Sequence, residues 1–254
     1  MIPLPASYLS RPIAHRGLHD RAAGRPENSR SAVQAAQVAG YGIEIDLQLS
    51  ADGEAMVFHD YELSRLTSEK GAVRQRSAKE LGQIRLLDAE DGIPTLPEVL
   101  AMVSGSVPLL IELKDQDGAL GPNVGPLETR VAELLSDYSG DAAVMSFNPH
   151  AVARLAELLP DRARGLVTDP FLPEDWPVPL ARLEELREIG DLERVGGSFI
   201  SHNKSDLTAA SVARLKASGV TILTWTIRNA AEEAEARQVA DNVTFEGYLA
   251  ALPA

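Results

Sequence analysis

The sequence predicts an α/β protein, a closed (β/α)8 barrel of the TIM type, on three observations. The chain has 254 residues, close to the roughly 250 that such a barrel takes. Apolar runs of strand length alternate with helical patterns almost from end to end, the signature of parallel strands joined by helices. With one antiparallel piece set aside, the runs number eight, and each but the last is followed by a helical pattern.

Residues 13–17 read as the first strand. A helix follows over 29–39, with Asn28 or Ser29 as its cap and Gly40 as its stop. Residues 41–49 form the second strand, and the series continues at 108–114, 142–147, 165–167, 198–201, 221–227 and 243–245. Helical patterns lie at 126–137, 149–159, 180–190, 207–218 and 230–240. The antiparallel piece follows the second strand. Asp52-Gly53 separates two apolar runs, which signals a hairpin with a two-residue type I′ turn. Residues 55–58 are therefore read as an excursion from the barrel rather than a ninth strand. A small insertion over about 48–95, with a short helix near 77–84 and a turn at Asp91-Gly92, is expected to cap the mouth of a single domain spanning 1–254.

Composition narrows the function. Hydrophobic residues make up 44% of the chain, ample for a core. A net charge of −13 argues against nucleic acid or an anionic membrane as partner, since phosphate backbones are bound by clustered Lys and Arg. There is no cysteine, so disulfides, thiolate metal sites and cysteine nucleophiles are excluded. The first residues lack the basic start and apolar run of a signal peptide, and no stretch reaches the ~18 apolar residues of a membrane span. A cytoplasmic protein is expected.

The second strand carries Ile43-Glu44-Ile45-Asp46-Leu47. Alternation puts the isoleucines and Leu47 on one face and Glu44 and Asp46 on the other, which in a barrel points inward. Burying two carboxylates side by side costs on the order of several kcal/mol per ion. A hard divalent cation would compensate; neutralisation by Arg or Lys is the alternative. A two-residue turn at Asp52-Gly53 makes opposite positions sum to 105, pairing Asp46 with His59 and bringing a histidine beside the carboxylates. The third strand repeats the theme, with Glu112 and Lys114 sharing an inward face; an internal Glu–Lys ion pair is the competing reading. The first strand ends in His15-Arg16-Gly17, which offers a proton shuttle, a planar fork for phosphate oxygens and a sharp turn. His19 and His150 read as solvated, while for His202, after the sixth strand at the functional end of the barrel, substrate contact is as open as its absence.

Together, His15-Arg16-Gly17, Pro26-Glu27-Asn28, Glu44-Ile45-Asp46, the Asp52-Gly53 turn, His59-Asp60 and Glu112-Leu113-Lys114 resemble, in order and spacing, the glycerophosphodiester phosphodiesterase family. The likeness extends to Ser146-Phe147 and Trp225-Thr226. It implies hydrolysis of small-molecule glycerophosphodiesters to sn-glycerol 3-phosphate and an alcohol, with a place in lipid and glycerol metabolism. It implies that His15 and His59 act as general acid and base, that Glu44, Asp46 and Glu112 hold Mg2+ or Ca2+, and that Arg16 and Lys114 touch the phosphate. Trp225 would wall the glycerol pocket, with Glu27 and Asn28 in supporting roles. The family's closing Thr-Asp-x-Pro-like segment is replaced by Val243-Thr244-Phe245-Glu246-Gly247-Tyr248, where Glu246 could stand in for the missing carboxylate. Two alternatives share these residues. One is a lysophospholipase D-like enzyme, which needs an apolar channel. The other is a barrel that binds a phosphorylated metabolite without turnover.

Overall fold

A computed structural model describes residues 1–252. Its strands are β1 (Ile13–Ala14), β2 (Gly42–Leu49), β3 (Ala55–Val57), β4 (Leu109–Leu113), β5 (Ala142–Ser146), β6 (Arg164–Thr168), β7 (Phe199–Asn203), β8 (Thr221–Ile227) and β9 (Asn242–Phe245). All except β3 are parallel, and β1 pairs with both β2 and β9. The eight parallel strands therefore close into the expected barrel, and β3 runs antiparallel along β2 outside the ring.

The outer helices are α1 (Arg30–Ala39), α2 (Ala78–Gln83), α3 (Leu96–Val103), α4 (Pro126–Ser136), α5 (Pro149–Leu158), α6 (Leu180–Arg187), α7 (Asp191–Arg194), α8 (Ala210–Ala217) and α9 (Ala230–Ala236). Ser29 caps α1 by accepting the Ala32 N–H, which frees Asn28 for the interior. The helix after the second barrel strand, α3, was not expected from sequence. Its signal is a capping box, Thr95 with Glu98, and Pro97 in the first turn. It begins where the insertion was taken to end.

Two apolar layers hold the barrel. Ile43, Ile45 and Leu47 pack outward under the helices with Leu109, Ile111 and Leu113, while Ile13, Leu110, Met145, Phe199 and Leu223 fill the interior. A third cluster, with Met56, Phe58, Leu63, Leu81 and Ile93, lies within the segment between β2 and α3. Among the described residues no helix is long and apolar enough to cross a membrane.

The hairpin differs from expectation by one residue. Leu47 pairs with Val57, Gln48 with Met56 and Leu49 with Ala55, so opposite positions sum to 104 and Asp46 faces Phe58, whose N–H donates to the Asp46 carbonyl at 3.0 Å. The connection is a three-residue loop, Ala51-Asp52-Gly53. The Gly53 N–H donates to the Ser50 carbonyl at 3.2 Å, and Gly53 takes a left-handed φ of +86°. That is the turn plus bulge typical of three-residue hairpins. Asp52-Gly53 marks the hairpin correctly, but its single left-handed residue excludes the I′ geometry, which needs two.

Candidate active site

His15, Arg16, Glu44, Asp46, Glu112 and Lys114 converge at the C-terminal ends of β1, β2 and β4. Parallel register sets Asp46 beside Glu112 and Glu44 beside Leu110, so Asp46 and Glu112 stand level on neighbouring strands and Glu44 lies two residues before Asp46 on the same face. Glu44, Asp46 and Glu112 each offer an oxygen within 4.8 Å of the other two, and none is more than 6% exposed.

Cations neutralise only part of this cluster. Lys114 Nζ lies 2.8 Å from Asp46 Oδ1 and also bonds Glu112. Arg16 Nε lies 3.3 Å from Asp46 Oδ2 while its Nη1 reaches Glu27 at 2.5 Å. Asn28 clasps Asp46 from both sides, donating Nδ2–H to the carboxylate at 2.9 Å and accepting the Asp46 N–H at 3.2 Å. Burial works against the charge of Asp46, yet Lys114 and Arg16 outweigh it and hold its carboxyl well below the ordinary range. Glu44 is different. It accepts only the Arg16 backbone N–H, at 2.9 Å. Burial, then the charges of Asp46 and Glu112, push its carboxyl well above the usual value. Burial raises Glu112 as well. The competing Glu–Lys ion pair does exist, but two cations face three carboxylates, and Arg16 is shared with Glu27.

Both histidines present one nitrogen to a carboxylate outside this cluster. His15 Nδ1 lies 2.6 Å from Glu246 Oε2, and its Nε2 is 4.0 Å from Glu44 Oε2. Burial lowers the His15 pKa to about 4 despite the Glu246 bond. His59 Nδ1 lies 2.6 Å from Asp60 Oδ1. Arg65 ties Asp60 to Glu27, with Nη2 2.7 Å from Glu27 Oε1 and Nε 2.5 Å from Asp60 Oδ2.

Local backbone makes these placements possible. The strand β1 ends before His15, and Arg16 and Gly17 take left-handed φ values of 54° and 78°. A Cβ at residue 17 would stand 2.8 Å from the Ala32 carbonyl carbon, so only glycine fits against α1. His59 lies beyond the end of β3, where alternation no longer sets direction, and Gln48 Nε2 holds its carbonyl at 3.1 Å.

A cavity of about 680 Å3 joins these groups, lined by His15, Arg16, Glu44, Asp46, His59, Glu112 and Lys114 on one side. The other side is apolar, with Met145, Phe147, Trp176 and Trp225. Phe147 contacts Trp176 and Trp225 at ring-centre distances of 4.9 and 5.8 Å. Tyr61, Glu62, Ser64 and Arg65 from the segment before α2 line the rim. Glu27 and Asn28 lie behind the lining, joined to it through Arg16 and Asp46. His202 is buried, bonds Thr168 Oγ1 at 2.8 Å and is not among the residues that line the cavity. His19, read as solvated, reaches Glu246 at 3.4 Å. No spacing in the sequence announces this, because the reversal at Arg16-Gly17 brings it back.

A parallel barrel with acids, imidazoles and cationic side chains gathered at the strand C-termini carries them where barrel enzymes keep their active sites. The profile of the glycerophosphoryl diester phosphodiesterase family matches residues 15–243. A glycerophosphodiester phosphodiesterase of Caldanaerobacter subterraneus is 30% identical over 181 residues, covering 66% of this chain and 70% of its own. A phosphodiesterase of Oleispira antarctica, solved in complex with the product sn-glycerol-3-phosphate, is 26% identical, with a TM-score of 0.77 over 95% of this chain and 94% of its own. A glycerophosphodiester phosphodiesterase of Thermotoga maritima shares the fold at 22% identity and a TM-score of 0.69, over 92% and 94%. The chain is a phosphoric diester hydrolase. It belongs to the glycerophosphoryl diester phosphodiesterase family.

Proposed function

We propose that the protein hydrolyses glycerophosphodiesters to sn-glycerol 3-phosphate and an alcohol, with His15 and His59 as the general acid–base pair and a divalent cation held by Glu44, Asp46 and Glu112. The observation that carries this reading is the convergence of three buried carboxylates, each offering an oxygen within 4.8 Å of the other two. Their donor set, all oxygen, suits a hard ion such as Mg2+ or Ca2+. Such an ion would offset the charge that builds on the phosphate oxygens.

The remaining work falls to this chain's own side chains. Arg16 and Lys114 border the cavity beside the carboxylates and supply positive charge to the phosphate oxygens. With Nδ1 of each histidine engaged by Glu246 or Asp60, Nε2 is left for proton transfer. One ring takes the proton of the attacking hydroxyl as its oxygen bonds phosphorus. The other gives a proton to the departing alcohol oxygen as the opposite P–O bond breaks. Each transfer contributes roughly 10²–10⁴-fold. Glu27 keeps Arg16 and Arg65 in place, and Asn28 orients Asp46. The segment over 48–95 acts as a cap, its rim residues screening the cavity from bulk water.

The apolar wall of Phe147, Trp176 and Trp225 favours a second reading, cleavage of lipids with one acyl chain. The sequence's aromatic fraction of 5% offered little for an apolar channel, yet these rings are concentrated on one side of the cavity.

One assay tests both readings. Release of sn-glycerol 3-phosphate from a panel of glycerophosphodiesters, and of lysophosphatidic acid from lysophospholipids as a second arm, is measured with and without EDTA. Activity is expected on the deacylated diesters, abolished by EDTA and in His15→Ala and His59→Ala variants that keep their fold. Full activity in either variant removes that residue's role, full activity in EDTA removes the cation, and turnover of the lysolipids alone selects the second reading.

A further inference from the structure

His15 and His19 approach the same oxygen. His15 Nδ1 is 2.6 Å and His19 Nε2 is 3.4 Å from Glu246 Oε2, and one donor atom from each residue lies within 4.8 Å of the other two. This group is distinct from the three-carboxylate cluster and differs from it in kind. Two imidazoles and one carboxylate form a donor set that zinc takes in tetrahedral sites, with bonds of about 2.0–2.2 Å. Hard ions such as Mg2+ prefer all-oxygen sites.

We propose that His15, His19 and Glu246 form a second metal site, selective for zinc over Mg2+ and Ca2+, whose occupancy switches the enzyme off. Ligand atoms around a tetrahedral ion with such bonds stand roughly 3.3 Å apart. The His19–Glu246 separation already matches this, and the His15–Glu246 pair needs to open by less than 1 Å. All three side chains are reachable, with exposures of 13%, 22% and 18%. Arg228 occupies the other Glu246 oxygen, with Nη2 2.9 Å from Oε1, leaves Oε2 to the two imidazoles and weakens zinc binding by its charge.

The inhibitory step rests on the acid–base role proposed for His15, whereas binding does not. With zinc on Nδ1, the ring's one remaining proton moves to Nε2. The ring can then neither accept a second proton nor readily give up the one it holds, and it is lost to either half of the reaction.

Equilibrium dialysis with zinc chloride in excess Mg2+ tests the site, since Mg2+ fills the carboxylate cluster. The expected result is one tightly bound zinc per chain. Affinity should fall at least tenfold in His19→Ala, stay unchanged in Glu112→Gln and rise in Arg228→Ala. The zinc concentration that halves hydrolysis should shift upward at least tenfold in His19→Ala. Unchanged zinc affinity in His19→Ala, or loss of the bound zinc in Glu112→Gln, overturns the site. Zinc held through His19 with full hydrolysis overturns the inhibitory step and counts against His15 in catalysis, while leaving the metal site standing.

Discussion

His15, just past β1, and Glu246, just past β9, meet at 2.6 Å although 231 positions separate them. The bond fixes which face of the imidazole looks into the cavity. Glu246→Gln preserves the shape and removes the charge. It should lower kcat about 10- to 100-fold, within what a whole proton-transfer group contributes, with KM little changed. Steady-state kinetics beside a thermal melt will check that chemistry is lost and the fold is not.

Asp60 plays the matching part for His59 and is itself held by Arg65. Burial opposes its charge, but hydrogen bonds from His59 and Arg65 hold its carboxyl far below the ordinary value. Asp60→Asn should therefore cost as much activity as Glu246→Gln. Arg65→Ala, one step further from the imidazole, should cost several-fold less. The ratio of the two kcat/KM losses is the measurement, and a larger loss in Arg65→Ala would contradict the order.

Glu44→Gln should have effects of opposite sign with and without metal. In EDTA the wild-type chain buries a carboxyl crowded by Asp46 and Glu112, which the charge of Arg16 only partly offsets, so the isosteric amide should stabilise on the order of 1 kcal/mol or more. With Mg2+ or Ca2+ the wild type should gain in melting temperature and the variant should not. Differential scanning calorimetry in the two buffers decides it.

Glu27 gives a pH dependence of stability. Burial resists its ionisation, but hydrogen bonds from Arg65 and the charge of Arg16 bring its pKa down to about 2 from an ordinary 4.5. The folded value lies below the unfolded one, so the stabilisation is complete above about pH 4.5 and is lost as pH falls toward 2. Its size is on the order of 3 kcal/mol. Urea denaturation of wild type and Glu27→Gln should show a gap that is widest above pH 4.5 and narrows steadily below it.

Gly53 carries the left-handed residue of the hairpin, and a Cβ there meets no atom within 4 Å. Gly53→Ala should thus cost only the backbone term, about 1 kcal/mol, with hydrolysis retained. Chemical denaturation measures the first and the diester assay the second.

The barrel was legible because its signals are periodic. Inward Glu44 and Asp46 against outward Ile43, Ile45 and Leu47 follow from alternation alone, and so does Glu112 opposite Leu113. Turn chemistry was legible only in part. Asp52-Gly53 announces a reversal, yet whether two or three residues make it depends on the Ser50–Glu54 contacts, which no local pattern encodes. His59 reaches the cavity by leaving the ladder, not by the pairing expected for it. The partnership of His15 with Glu246 depends on ring closure, and the approach of His19 on two left-handed residues. The helix α3 was legible through Thr95 and Glu98 but was masked by the irregular stretch before it.

Ring closure also governs when the active centre can exist. Because β1 completes its hydrogen bonding only when β9 docks on its free edge, a chain still leaving the ribosome carries His15 without its carboxylate and the barrel without its final stave. A polypeptide cut before β9 would leave one edge of β1 unpaired and His15 without Glu246.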